Sequence, residues 1–288
     1  MSEEPELAGH RLSLVPTPIG NLADITLRAL DTLRAADVVA AEDTRRSRVL
    51  LERHGVTTPL TRLDAHTMTA RAGGVLRQHR HVAFVTDAGS PGISDPGAEF
   101  VRIALDLGVQ VEALPGPTAF VPALVLAGVP LARFTFEGFL PRRGRERRER
   151  IAAIAARDHP SALYEAPSRL LASLRELAVA CGPERHGAVA RELSKLHEEV
   201  QRGPLAGLVA HFEVHAPRGE IVIVVGPAEP GFARSAVPDA PADPVALAAA
   251  LAAGGVRGRD LRERLMAAGV PRDVAYGLAV RYKHGAER

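Results

Sequence analysis

The chain has 288 residues, 46% of them apolar and 24% charged, with a net charge of +2. That composition is of the soluble globular kind and excludes gross disorder, and the length suits two α/β domains plus an appendage better than a single core. The longest apolar run, Phe120 to Ala132, is broken by Pro122, Gly128 and Pro130 and does not read as a membrane span. Met1 to Leu7 carries three glutamates and no apolar segment, which points to a cytoplasmic protein without a secretory signal. Cys181 is the only cysteine, and the eleven histidines form no His-Glu-x-x-His pair, so neither a disulfide nor a structural metal is expected.

From Leu12 to Gly128, short β-branched runs alternate with amphipathic stretches, the pattern of a parallel sheet with crossover helices. Strands are expected at Leu12 to Val15, Val38 to Ala41, Pro59 to Asp64, Val82 to Thr86 and Val109 to Leu114. Asp24 is placed to cap a helix over Ile25 to Ala35, in which Leu27, Leu30 and Leu33 form an apolar stripe. Further helices are read at Thr44 to His54, Thr67 to Gln78 and Pro96 to Leu107; Gly55 and Gly108, each just past a helix end, suit a left-handed conformation. Past Pro130, strands at Phe134 to Phe139, Ala162 to Tyr164, Ala188 to Ala190 and Ile221 to Val225 alternate with helices at Glu146 to Ala156 and Ser168 to Ala180. Gly226 to Pro244 holds five prolines and reads as an extended linker. The last stretch, Val245 to His284, reads as helical, with Arg259 to Ala268, a Gly269-Val270 turn and Pro271 opening Arg272 to Tyr282 in a helix-turn-helix-like arrangement. The expected domains are therefore residues 1–130, 131–226, a linker over 227–244 and a helical unit over 245–288.

Three of the strands run into polar loops: Pro16-Thr17-Pro18-Ile19-Gly20-Asn21, Asp87 through Gly97, and Pro115-Gly116-Pro117-Thr118. Open α/β sheets bind ligands at the carboxyl ends of their strands. The three loops are expected to line one cleft, presenting main-chain groups beside Asp87, Ser90, Ser94, Asp95 and Thr118, although each alone also reads as an ordinary turn. Neither Gly-x-Gly-x-x-Gly nor Gly-x-x-x-x-Gly-Lys-Ser/Thr occurs, which disfavours a dinucleotide or P-loop site.

Of 36 basic residues only Lys195 and Lys283 are lysine. An ammonium is a compact charge that can lose its proton, as a guanidinium cannot, so Lys195 is a candidate for chemistry, although chance also leaves such survivors. Polar clusters follow two strands, Glu42-Asp43-Thr44-Arg45 and Arg191-Glu192-Leu193-Ser194-Lys195, and each reads as substrate-orienting or as a helix cap with surface ion pairs. Tyr164-Glu165 at another strand end raises the same choice. Pro141 to Arg150 sets six arginines, Arg142, Arg143, Arg145, Arg147, Arg148 and Arg150, against two glutamates. That is either a solvated helix start or a phosphate-contacting patch. Eight basic against four acidic residues from Arg257 to Arg288 tilt the reading toward nucleic acid. With no Trp and three Tyr, a broad stacking surface for single strands is not expected.

Taken in order, Val15-Pro16-Thr17-Pro18-Ile19-Gly20-Asn21-Leu22-Ala23-Asp24-Ile25, Ala41-Glu42-Asp43-Thr44-Arg45, Asp87-Ala88-Gly89-Ser90-Pro91, Glu137-Gly138-Phe139-Leu140-Pro141 and Arg191-Glu192-Leu193-Ser194-Lys195 closely resemble the tetrapyrrole-methylase-like family, in its branch that methylates ribosomal RNA. The resemblance covers residues 12 to 226. It implies an α/β fold of two domains, the first with a parallel and the second with a mixed sheet, followed by a small helical appendage. It further implies S-adenosylmethionine in the cleft, a homodimer, and methylation of the ribose 2′-hydroxyl of a cytidine in the decoding centre of 16S rRNA on the small ribosomal subunit. By position, Pro16, Asp87, Ala88, Gly89, Ile93, Ser94, Thr118 and Ala119 would contact the cofactor, with Tyr164, Glu165 and Leu193 closing the cleft. Gly92 stands where the family usually has Leu, and Ser168 where it usually has His, which removes a histidine from any role there. A ribose hydroxyl is a weak acid, so a general base or a cation beside the developing alkoxide is wanted. Lys195 is the first candidate, followed by Glu192, Asp43 and Arg45. The rival readings are a tetrapyrrole C-methyltransferase, which needs neither basic segment, and a helix-turn-helix DNA-binding regulator.

Overall fold

The computed structural model describes residues 7–228 and 244–282, apart from 255, 269 and 271. Residues up to Ala228 form one compact unit and the C-terminal helices another. Among the described residues no helix is long and apolar enough to cross a membrane.

The first sheet consists of β1 (Arg11–Leu14), β2 (Val38–Ala41), β3 (Leu60–Arg62), β4 (His81–Val85) and β5 (Gln110–Ala113). Its order is β3-β2-β4-β1-β5 and every pairing is parallel. Side chains alternate between two faces along a strand. Val38, Ala40, Val82 and Phe84 thus enter one core with α3 (Met68–Gln78) and α4 (Gly97–Asp106), whereas Val39, Ala41, Ala83 and Val85 enter the other with α1 (Leu27–Ala35) and α2 (Thr44–Arg53). Burial on both faces explains why these strands read as continuous apolar runs. Phe84 of β4 meets Phe100 of α4 edge to face, with centroids 5.3 Å apart, a geometry worth about 0.5–1.5 kcal/mol beyond the area it buries.

The start of α1 differs from the sequence expectation. Leu22–Asp24 is a 3-10 turn capped by Asn21, and Thr26, in extended conformation, caps α1 by accepting the Ala29 N–H at 3.0 Å. Asp24 is thereby left to accept the Ser194 hydroxyl proton from the far side of the cleft. Gly55 and Gly108 adopt the left-handed conformation expected of them, at φ +62° and +74°.

The second sheet is mixed: β6 (Thr135–Phe139), β7 (Ser161–Glu165), β8 (His186–Arg191), β9 (Glu199–Pro204) and β10 (Ile221–Val225), in the order β6-β7-β10-β8-β9. Only β6 and β7 run parallel; the remaining neighbours are antiparallel. Ile221, Ile223 and Val225 pack into a core with α6 (Arg145–Ala156), α7 (Pro167–Cys181) and α8 (Leu205–Val214), while Val222 and Val224 face a helix unforeseen in the sequence, α5 (Phe120–Ala127). That helix follows β5 but packs on the second sheet, and Gly128 ends it at φ +71°. The strand β9 was also unforeseen. It sits at the sheet edge and none of its six residues is fully buried, so it carries charges, Gly and Pro instead of an apolar run.

The C-terminal unit has three helices, α9 (Pro244–Ala253), α10 (Gly258–Ala267) and α11 (Arg272–Arg281), around Ala248, Leu261, Leu265, Val270, Ala275 and Leu278. The expected linker over 227–244 lies almost wholly outside the described residues, as do Gly269 and Pro271 of the expected turn and Lys283.

Candidate active site

Because β4, β1 and β5 are neighbours in a parallel sheet, the loops that leave their carboxyl ends emerge side by side. They are tied to one another. Thr17 and Gly89 exchange two main-chain hydrogen bonds of 2.9 Å, and the Ser90 hydroxyl donates to the Pro117 carbonyl at 2.9 Å. A Cβ on Gly116 would lie 2.4 Å from the Pro16 Cβ, so only glycine admits that proline against the β5 loop. Within the β4 loop, the Asp95 carboxylate accepts the N–H groups of Gly92 (2.8 Å), Ile93 (3.1 Å) and Gly97 (2.7 Å), holding Ser94 left-handed at φ +64°.

These loops form one wall of a cavity of about 360 Å³; the second sheet supplies the other through Phe139, Tyr164, Glu165, Leu193 and Glu220. Of the residues assigned by resemblance to the cofactor, Asp87, Ala88, Gly89, Ile93, Ser94, Thr118, Ala119, Tyr164, Glu165 and Leu193 all line it. Pro16 does not; it stands behind, against Gly116. The charged residues of the lining are Glu42, Asp87, Asp95, Glu165 and Glu220, with no cation among them. Glu165 is buried and already held by Arg169 (2.6 Å) and the Ser173 hydroxyl (2.5 Å). Burial pushes the Tyr164 hydroxyl above its usual range, against the opposing pull of the Phe120 and Ala119 N–H groups at the start of α5.

Leu193 reaches the cavity because its neighbours bend the chain: Glu192 and Ser194 are both left-handed, at φ +52° and +67°. Such conformations are costly for non-glycine residues and persist where surrounding contacts over-determine them. Here Lys195 Nζ bridges the Glu192 (2.8 Å) and Glu220 (3.1 Å) carboxylates, and Glu192 also accepts the Glu220 N–H at 2.9 Å. A Cβ on Gly20 would lie 2.4 Å from Lys195 Cγ and 2.8 Å from the Leu193 carbonyl, so glycine lets the β1 loop touch the β8 loop.

The four sequence candidates for proton transfer are therefore placed differently from the cavity. Lys195 and Glu192 form the strut behind Leu193, and Asp43 and Arg45 pair with each other (2.7 Å) at the start of α2, where Asp43 accepts the Arg45 N–H; none of the four lines the cavity. All hold their charges firmly. Hydrogen bonds from Arg45 lower Asp43, and Asp43 in turn raises Arg45; the Lys195 hydrogen bond lowers Glu192. Burial, the largest single influence on Lys195, favours loss of its proton, but Glu192 and Glu220 together outweigh it and raise the ammonium above its usual range. A general base works best with a pKa near the operating pH, which these groups lack.

Glu42, passed over in favour of Asp43, does line the cavity. Burial raises its pKa first, with the nearby charges of Asp95, Asp87 and Asp64 adding to the rise against a hydrogen bond from the Asp87 N–H. The signal lay in the cluster itself. Glu42 is the first residue beyond the four buried residues of β2 and so sits on the carboxyl edge, whereas Asp43 precedes α2 and caps it. Phe139, Gly219 and Glu220 were also missed; the last two precede β10 and carry no motif.

The arginine segment divides in two. Arg147 has a side chain only 7% exposed and donates to Glu176 (2.8 Å), the Pro141 carbonyl (3.0 Å) and the Ser173 hydroxyl (2.9 Å). Arg150 is spent on Glu137 and the Phe139 carbonyl. Neither guanidinium is available to a phosphate. Arg145 pairs with Glu149, while Arg142, Arg143 and Arg148 are exposed and have no ionic partner among the described residues.

Residues 11–209 match the family model described as Tetrapyrrole (Corrin/Porphyrin) Methylases. The "Ribosomal RNA small subunit methyltransferase I" of Mesorhizobium japonicum is 46% identical over 247 residues, 84% of this chain and 82% of that protein. The protein of the same name from Thermotoga maritima is 41% identical over 218 residues, 75% of this chain and 97% of its own length. A crystal structure of uroporphyrin-III C-methyl transferase from Thermus thermophilus, complexed with S-adenyl homocysteine, matches with TM-score 0.55 at 22% identity, covering 74% of this chain and 96% of that one. At that identity the likeness establishes the fold alone. The chain belongs to the tetrapyrrole methylase family, in its ribosomal RNA small subunit methyltransferase I group.

Proposed function

We propose that the chain transfers the methyl group of S-adenosylmethionine to the ribose 2′-hydroxyl of a cytidine in the decoding centre of 16S rRNA. The observation that carries the reading is the cavity at the ends of β4, β1 and β5, rimmed by main chain and lined by carboxylates without a cation. Those residues suit this donor. Ile19, Ile93, Leu193 and Val222 offer apolar surface to a flat base, the Ala88 and Thr118 N–H groups have no acceptor among the described residues, and the carboxylates favour a ligand that bears positive charge. When bound, the donor supplies an electrophilic methyl group.

The chain's own residues then have three tasks. The tied loops and the Tyr164–Glu165 wall align the acceptor oxygen with the methyl carbon, a contribution that needs no proton. Glu42, at the cavity wall with a raised pKa, takes the hydroxyl proton as general base. Lys195 stays an ammonium and holds Glu192, Glu220 and hence Leu193 in position. Arg142, Arg143 and Arg148 contact phosphates, joined by the basic C-terminal unit, and the working assembly is a cytoplasmic homodimer. The ribosomal RNA methyltransferases among its relatives support RNA over a tetrapyrrole acceptor. The test is incubation with labelled donor and undermethylated small subunits, followed by mapping of ribose methylation. Absence of label in 16S rRNA, or no heat on titration of the donor, would overturn the proposal.

A further inference from the structure

The chain contains eight Phe and three Tyr, and five of these form one continuous ladder. Phe134 meets Phe120 at 6.3 Å between centroids, Phe120 stacks on Phe136 at 4.4 Å, Phe136 meets Tyr164 edge-on at 4.9 Å, and Tyr164 meets Phe139 at 5.5 Å. The ladder ends in the cavity: Phe139 lines it, yet 49% of the residue remains exposed. Phe134, at the opposite end, is exposed but does not line it. A half-exposed aromatic ring costs free energy in water and here fills no core.

The backbone where β6 ends at Phe139 and passes into the next loop is held at successive carbonyls. Arg150 donates to the Phe139 carbonyl (3.2 Å), Arg169 to the Leu140 carbonyl (3.3 Å) and Arg147 to the Pro141 carbonyl (3.0 Å). On the other side Gly138 is left-handed at φ +60°, and a Cβ there would lie 3.1 Å from the Ser94 hydroxyl oxygen. Three guanidiniums on consecutive carbonyls fix the main chain that carries the ring, Tyr164 meets the ring on one side, and Arg142 and Arg143, without an ionic partner among the described residues, follow immediately. A half-exposed ring in the wall of the cavity, with cations next to it in the chain, is the arrangement that receives an unstacked base while its phosphates are neutralised alongside.

We propose that Phe139 is the stacking platform for the base of the nucleoside to be methylated, holding that one nucleotide out of its RNA stack with its ribose over the cavity. The inference rests on the RNA reading above and adds the residue that grips the acceptor. It also reconciles the small aromatic content with RNA binding, since one base needs one ring.

The experiment measures methylation of undermethylated small subunits at saturating donor, with donor affinity measured separately by calorimetry. Loss of a base–aromatic stack reduces binding by about 5- to 150-fold. Phe139→Ala and Phe139→Leu are expected to raise KM for subunits within that range while the donor Kd stays within twofold, and Phe139→Tyr is expected to recover most of the loss. Because the chain has no tryptophan, Phe139→Trp provides its one indole, whose emission is expected to be quenched when protein-free 16S rRNA is added. Phe139→Leu with wild-type KM, a donor Kd that rises in step with KM, or unquenched Phe139→Trp fluorescence would each overturn the assignment. If the wild-type chain itself leaves small subunits unlabelled, the RNA reading fails and the inference falls with it, an outcome distinct from an active wild type indifferent to residue 139.

Discussion

Arg147 separates the internal arginines from those proposed to meet RNA, and Arg147→Met puts the division to the test. Methionine keeps much of the side-chain volume but removes three donors. The half-buried Pro141 carbonyl loses its charged donor, and an acceptor left unpaired there costs about 1–3 kcal/mol. Ser173 retains its bond to Glu165, so its loss is partial, and Glu176, about half exposed, rehydrates, so its pairing is worth under about 1 kcal/mol. The sum is about 2–4 kcal/mol, which for a unit of this size lowers Tm by roughly 5–15 °C. Replacing Arg142, Arg143 and Arg148 together by Gln should leave Tm within about 2 °C. It should instead flatten the slope of log affinity against log salt by about 2–3, at 0.7–0.9 per phosphate contact. The assays are thermal unfolding and binding to small subunits across a salt series. Should Arg147→Met melt with the wild type and flatten the slope, the internal role of this arginine would be refuted.

Glu42→Gln should abolish most methyl transfer yet stabilise the protein near neutral pH. A carboxyl whose folded pKa is raised penalises folding progressively as pH rises from its unfolded value through its folded one, and the variant's advantage should vanish below that window. In the wild type, kcat/KM should fall as pH drops through the raised pKa; equal pH profiles for variant and wild type would dismiss Glu42 as the base. Lys195→Arg keeps the charge and is expected to retain turnover, whereas Lys195→Met should lose donor affinity by freeing Leu193; inactivity of the arginine variant with intact donor binding would restore the lysine as base. Cys181, buried and pushed up to about 11 by desolvation, should resist alkylation at pH 8 until the chain unfolds; rapid labelling of the native protein would contradict its burial.

Much of the fold was legible in the chain because burial on both faces of a parallel sheet leaves continuous β-branched runs, and because Gly55, Gly108 and the Gly-Pro loops punctuate them. Those loops also revealed most of the cavity wall: strand ends in such a sheet share an edge, so Asp87, Gly89, Ser94 and Thr118 come together once the strands are paired. The edge strand β9 and the helix α5 were not legible. One lacks an apolar run because, at the sheet edge, none of its residues is fully buried, and the other packs on a sheet that the chain has yet to form when it is read in order. Charge offered the least guidance, because a guanidinium beside a phosphate and one beside a buried carbonyl are the same letters. Only tertiary packing sends Arg147 inward and leaves Arg142 in water, turns Glu42 rather than Asp43 toward the cavity, and sets Lys195 between two carboxylates that keep it protonated. Local sequence determines which elements form; the protonation and reach of a side chain depend on groups brought to it from distant elements.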